Sequence, residues 1–247
     1  MIASSFPAVR RTKGTLLAAA IALAAIGAIA GALLAQADPA GPGRWLHWLC
    51  KPLATILIIG LAGGAASPLS SRYRRRIVAG LVFALFGDVL LMLPGDFFVP
   101  GLAMFLLAHL CFLAGWLDDS RFAARPLAWL ACLIVGAGLL ATLWPGLAPP
   151  LRPAVAVYAL VLATMAGQAL GRAWQHAVAH DALAMPTRRA AVGALLFMAS
   201  DSLLAWDRFR DALPLASLWV LGTYYPAIWL IARSVARQGS DVKQTPA

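Results

Sequence analysis

The sequence predicts an all-α integral membrane protein, a bundle of about eight transmembrane helices forming one domain over residues 1–247. Three observations carry this expectation. The 247 residues are 62% hydrophobic and only 12% charged, with a mean hydropathy of +0.80, whereas a soluble domain carries ~25% charge. Apolar runs near the ~20 residues that cross a bilayer fall at about 15–36, 46–65, 76–93, 98–117, 126–144, 153–171, 190–206 and 213–232, separated by Pro, Gly or charged breaks. The segments between them are too short for a second, water-soluble catalytic domain, so any chemistry belongs to the bundle.

Each element has its own signature. The first run follows a short basic segment, 1–14, and ends in Ala35-Gln36-Ala37, which looks like a signal-peptidase site. Its apolar length exceeds a usual signal core, so a retained helix is expected. The second carries Lys51 and Pro52, the third Asp88, the fourth His109 and the sixth Tyr158. The seventh carries Ser200 and Asp201, and the eighth Tyr224 and Tyr225, ahead of a tail at 234–247. The fifth is apolar throughout.

The net charge of +10 is explained by position rather than by nucleic acid, which is not an expected partner. Arg10, Arg11 and Lys13, Arg72, Arg74, Arg75 and Arg76, Arg121 and Arg125, Arg172, Arg188 and Arg189, and Arg233, Arg237 and Lys243 lie on one side, 15 in all, against Arg44, Arg152, Arg208 and Arg210 on the other. The positive-inside rule then puts both termini in the cytoplasm, which requires an even number of spans and suits a bacterial inner membrane.

Cys50, Cys111 and Cys132 are scattered singly through apolar helices and read as small core residues. His176 and His180 share a helical face next to Asp181, but no third ligand stands in a defined context, so a solvated loop or short helix is expected and no metal. There is no phosphate loop, nucleophile elbow or dinucleotide fingerprint.

The aspartates within the apolar runs are the informative residues. A carboxylate in hydrocarbon costs at least ~2.5 kcal/mol unless it faces a protein interior, is paired or is protonated. Asp88 and Asp201 occur in matching contexts, Gly87-Asp88-Val89-Leu90-Leu91 and Ser200-Asp201-Ser202-Leu203-Leu204. At 1.5 Å rise per residue both lie roughly 16–18 Å from the cytoplasmic side, and His109 and Tyr224 come to roughly 16 Å from the outer side. Lys51 and Tyr158 enter from outside by about a turn and a half, near the rim. Asp96, Asp207 and Asp211 are placed in solvated outer loops. The third and fourth helices (Asp88, then His109) and the seventh and eighth (Asp201, then Tyr224) share a layout that suggests a parallel 4+4 pseudo-repeat with the site between halves.

These residues also carry a resemblance. The segment 83–116, FALFGDVLLMLPGDFFVPGLAMFLLAHLCFLAGW, resembles the Gly-Asp, Phe-x-x-Gly and Phe-x-x-x-His core of the YhhN family of membrane proteins, and Lys51-Pro52, Tyr158, the run 193–209 around Ser200-Asp201, and Thr223-Tyr224-Tyr225 match in order. Two positions depart from the pattern. Pro226-Ala227-Ile228 stands where the family continues its Tyr-Tyr with an apolar residue, Ala and Gln, and Phe112 stands where an aromatic hydroxyl is frequent.

The resemblance implies hydrolysis of the vinyl-ether bond of a lysoplasmalogen to a fatty aldehyde and a glycerophospho-ethanolamine or glycerophospho-choline, without a cofactor. Asp88 and Asp201 are then the catalytic acid–base pair, and Lys51, His109, Tyr158, Tyr224 and Ser200 contact a lysophospholipid drawn from the bilayer. Composition and topology equally allow a proton- or cation-coupled transporter using the same aspartates.

Overall fold

The computed structural model describes residues 6–237, and all regular structure in that range is helical. Eight α-helices follow one another: α1 Phe6–Ala37, α2 Gly43–Gly63, α3 Ser71–Leu90, α4 Phe98–Trp116, α5 Pro126–Leu143, α6 Arg152–Ala179, α7 Ala184–Phe209 and α8 Ala216–Arg233. Two short 3-10 turns, Trp144–Gly146 and Pro149–Leu151, join α5 to α6. Pro at the start of α5 and in the first turn of α6 fits helix beginnings, where no partner for its missing N–H is needed.

The helices run past several expected boundaries. α3 starts at Ser71 because Ser70 caps it, its side chain accepting the Tyr73 N–H at 3.0 Å, so Arg72 to Arg76 form its first turn rather than a loop. α7 starts at Ala184, and α6 continues through Arg172 to Ala179. Arg172 is therefore no loop residue. It is fully buried, grips Asp119 with two bonds of 2.6 and 2.7 Å, and lies 5.1 Å over the Tyr73 ring, a bidentate pair of the kind that makes a buried guanidinium tolerable.

Six of the helices are long and apolar enough to cross a membrane: those containing Gly14–Ala37, Gly43–Gly63, Phe98–Trp116, Pro126–Gly146, Pro149–Ala179 and Ala184–Phe209. The protein is an integral, multi-pass membrane protein. In α3 the arginines and Asp88 dilute the apolar signal, and in α8 Thr223, Tyr224, Tyr225 and Pro226 do the same.

Sequential pairs α1–α2, α3–α4, α5–α6 and α7–α8 pack as antiparallel hairpins, and α6–α7, α4–α6 and α2–α8 contacts close the bundle. The core runs through Ile58, Ile77, Leu81, Phe112, Phe197 and Ile228, all fully buried. Close approach is bought with glycine twice near the site. A Cβ at Gly31 of α1 would overlap the His47 backbone of α2, and one at Gly87 would lie 2.6 Å from the Phe105 ring of α4. Pro226 does not break α8.

Candidate active site

One helical face of α2 presents His47, Lys51 and Thr55, four residues apart and so stacked one turn above another. Thr55 and Lys51 meet Asp88 of α3. The Asp88 Oδ2 accepts hydrogen bonds from Thr55 Oγ1 at 2.8 Å and from the Tyr224 hydroxyl of α8 at 2.7 Å, while Lys51 Nζ stands 3.6 Å from Oδ1. Lys51, expected near the rim, is buried, as is Tyr224. An ammonium and two hydroxyls thus surround a buried carboxylate, which is the condition for keeping one inside a bundle.

A second cluster forms on α4, α6 and α7. Asp201 Oδ2 accepts a hydrogen bond from the Tyr158 hydroxyl, and His109 Nε2 lies 3.2 Å from the same oxygen and 3.0 Å from the Tyr158 hydroxyl oxygen. His109 is fully buried, and its Nδ1 has no protein partner among the described residues. With the ring hydrogen on Nε2, that nitrogen donates to Asp201 and only a lone pair is left unmet at Nδ1. Tyr158, expected near the rim, stands with His109 behind Asp201. Asp201 Oδ1 has no protein partner among the described residues.

An aromatic wall joins the clusters. Phe197 contacts the His109 ring (centroids 4.7 Å apart) and the Tyr224 ring (5.4 Å), and Phe105 packs edge-on to both Phe197 and Tyr224 at 6.0 Å. Asp88 and Asp201 each stand the same distance along their helices, from Ser71 to Asp88 and from Ala184 to Asp201.

Both aspartates line a single polar cavity of about 190 Å³, together with Lys51, Ser200 and Tyr224. The Ser200 hydroxyl donates to the Val220 carbonyl at 3.0 Å and so pins α7 to α8 while facing this space. The mouth is formed by Gln36 at the end of α1, His47, Asp207, and Ser217 at the start of α8. The Gln36 amide donates to the Ser217 hydroxyl at 3.0 Å across it. A second, apolar cavity is lined by Leu102, Leu139, Leu140, Val155 and Leu162 and ends at Phe98 and Phe209. Leu91, Phe105, Asp201 and Leu204 belong to both walls, so the two spaces meet at Asp201.

Sequence reasoning missed four of these groups. Thr55 and His47 were legible as the i±4 neighbours of Lys51 on α2, but a threonine in an apolar helix carries no signal alone. Asp207 corrects the expectation of a solvated loop: it belongs to the last turn of α7, its Oδ1 accepts the Leu213 N–H at 2.8 Å, and it lines the cavity mouth. Gln36 carries no signal in the sequence beyond its place in the signal-like tripeptide Ala35-Gln36-Ala37.

Elsewhere, His176 Nδ1 bonds Asp181 Oδ2 at 2.7 Å, and His180 takes the left-handed position that ends α6. That contact holds the Asp181 carboxyl below the ordinary carboxylate range. No group of three or more metal-ligating side chains occurs among the described residues, and the three cysteines are free.

With the geometry in place, comparison with known proteins is direct. The profile of the YhhN family matches residues 46–235, which include every aspartate and tyrosine of both clusters. The chain belongs to the YhhN family. It is 31% identical over 217 residues to lysoplasmalogenase TMEM86A of Bos taurus (83% of this chain, 84% of the relative). It is 36% identical over 192 residues to lysoplasmalogenase of Mycobacterium bovis (72% and 69%) and 33% over 201 residues to lysoplasmalogenase TMEM86B of Homo sapiens (79% of each). No solved structure matches this YhhN-family chain.

Proposed function

We propose that this protein is a lysoplasmalogenase-type ether hydrolase that cleaves the vinyl-ether bond of a lysoplasmalogen, with Asp201 as the acid and Asp88 as the carboxylate. The observation that carries the reading is the position of Asp201, at the junction of the polar and apolar cavities with Oδ1 free of protein partners among the described residues. A lysoplasmalogen has its vinyl ether at the same kind of junction, between a glycerophospho headgroup and an aliphatic chain. The names borne by the relatives point the same way.

The chemistry follows from the substrate. A proton passes from the Asp201 carboxyl to the β-carbon of the vinyl ether, and the oxygen lone pair completes an oxocarbenium ion. Water adds to the α-carbon and gives up a proton, yielding a hemiacetal. Its C–O bond to glycerol then breaks, releasing an aldehyde and a glycerol hydroxyl, so that one water is consumed overall. Asp88, with both oxygens met by donors, supplies the negative charge opposite the cation or takes the proton of the attacking water, a division of labour shared with glycosidases. The Tyr158 and His109 contacts to Asp201 Oδ2 fix the carboxyl so that Oδ1 faces the substrate, and they offer a route for returning its proton.

The headgroup lies in the polar cavity. Lys51 is its cation and suits the phosphate, and Asp207 Oδ2, which has no partner among the described residues, suits the ammonium of an ethanolamine or choline. In the same reading all eight helices span, in a parallel 4+4 arrangement, with both termini in the cytoplasm of a bacterium and the cavity mouth on the outer side. The deciding experiment incubates purified protein with a lysoplasmalogen and with its saturated alkyl-ether analogue, followed by lipid mass spectrometry. Aldehyde from the vinyl ether alone is the expected result; turnover of both ethers, or of neither, refutes the assignment.

A further inference from the structure

At the end of the bundle opposite the cavity mouth, the chain past α8 is tied back to the chain past α2. Leu69 N–H bonds the Val235 carbonyl and Arg237 N–H bonds the Ser67 carbonyl, both at 2.9 Å, around an antiparallel bridge between Pro68 and Ala236. This pairing fixes a pocket of about 370 Å³ whose polar wall is made of three arginines: Arg189 from α7, Arg233 from the last turn of α8, and Arg237. The rest of its lining is Leu61, Gly64, Ala65, Ala232 and Ala236. Among the described residues, no carboxylate lines it.

Among the described residues, no carboxylate pairs with any of the three guanidiniums. Arg233 lies 4.8 Å over the ring of Trp229 on its own helix, and Arg237 gives one N–H to the Leu69 carbonyl at 3.3 Å. Arg189 is half-buried with no protein partner among the described residues, and its charge is repelled by Arg233. The C-terminal carbonyls of α2 and α8 satisfy part of this positive charge, but like-charged guanidiniums brought into one rigid recess still favour a bound anion. Arginine forks match phosphate oxygens in geometry as well as charge.

We infer that Arg189, Arg233 and Arg237 form a binding site, separate from the aspartate cavity, for a phosphate-bearing anion at the membrane interface, of which the headgroup of an anionic phospholipid is the source the setting favours. The recess lies where helices leave the apolar layer, its floor is apolar, and the surrounding helix ends carry Arg74, Arg75 and Arg188 as well. Basic pockets between membrane helices hold acidic headgroups on this physical basis. The inference does not depend on the hydrolase reading.

The test uses the full chain purified in a neutral maltoside detergent. Native mass spectrometry counts retained lipid after addition of phosphatidylglycerol or phosphatidylcholine with the same acyl chains. The wild type should retain the anionic lipid at least ~10-fold more, and Arg189→Gln with Arg237→Gln should abolish that preference. Arg75→Gln with Arg188→Gln, which removes two exposed charges from the same end outside the pocket, should keep it. The single Arg233→Gln variant, altered at an exposed position, gives an intermediate loss and covers the case in which the double variant fails to fold. Inorganic phosphate that displaces lipid only at far higher concentration identifies the lipid as the ligand; displacement at matching concentration assigns the same site to a soluble phosphate. Equal retention of both lipids by the wild type, or equal losses in the pocket and control variants, overturns the proposal.

Discussion

Tyr224 of α8 donates its hydroxyl hydrogen to Asp88 of α3 at 2.7 Å, while the polar residue on α3's own hairpin, His109 of α4, reaches across to Asp201 of α7. The two hairpins therefore exchange partners, and neither carboxylate is satisfied by its sequence neighbour. Removing Tyr224 takes a donor from Asp88 without disturbing the Asp201 cluster. Hydrogen bonds to charged groups contribute ~1.5–3 kcal/mol, so Tyr224→Phe should lower kcat by about 10- to 100-fold. Steady-state rates alongside thermal unfolding in detergent check this; an unchanged kcat would make the contact purely structural.

The two aspartates should differ in kind. Asp88→Asn and Asp201→Asn each remove a carboxyl while keeping shape, and general acid–base contributions suggest losses of at least ~100-fold for both. If Asp201 supplies the proton, wild type and Asp88→Asn should show a normal solvent deuterium isotope effect, with deuterium from D2O at the carbon next to the aldehyde. Residual turnover by Asp201→Asn should still carry deuterium, since any hydrolysis protonates that carbon, but should fall steadily with rising pH as hydronium replaces the lost acid. Full activity in both variants would leave the carboxylates without a catalytic role.

Much of this site was legible because the physics of hydrocarbon makes polar residues conspicuous. Asp88, Asp201, His109, Lys51, Tyr158 and Tyr224 stand out in apolar runs, and depth along the helices gathers them into one slab. Depth does not give azimuth. Which face of α4 looks toward α7 rather than α3 depends on packing of Phe105, Phe112 and Phe197, and so the exchange of partners was not readable. Thr55 was invisible because threonine is common in membrane helices, and Asp207 was hidden by uncertainty in the end of α7. The same polar residues that mark the site weakened the span signal of α3 and α8.

Asp207 provides a test of headgroup recognition. Its Oδ2 at the cavity mouth, without a partner among the described residues, suits a cationic headgroup, so Asp207→Asn should raise KM for ethanolamine lysoplasmalogen about 10-fold with kcat nearly unchanged. KM for a lysoplasmalogen with an anionic headgroup should stay the same or fall. Parallel shifts for both substrates would remove Asp207 from headgroup selection.

Topology can be checked apart from chemistry. Reporter fusions at Gly43, Pro145 and Asp211 should read as external, and those at Arg75 and Arg188 as internal, if the basic loops face the cytoplasm. An internal signal at Pro145 would invert the bundle and put the cavity mouth on the cytoplasmic side.

The apolar cavity offers the sharpest separation of chain binding from catalysis. Ala159 follows Tyr158 on α6 and lines that cavity, whereas Leu160 is 56% exposed on the outside of the same helix. Ala159→Phe adds a ring where the aliphatic chain is proposed to lie and leaves both aspartate clusters in place. Each buried methylene contributes ~0.8 kcal/mol, so excluding two or three should raise KM for a long-chain lysoplasmalogen by about 10- to 50-fold and leave a short-chain substrate little affected. Leu160→Phe, which faces lipid, serves as the control for helix perturbation and should change neither. Rates with two chain lengths and both variants decide the matter: a chain-independent loss in Ala159→Phe would mean that the substitution disturbs Tyr158 and Asp201, and an unchanged profile would place the aliphatic chain outside this cavity.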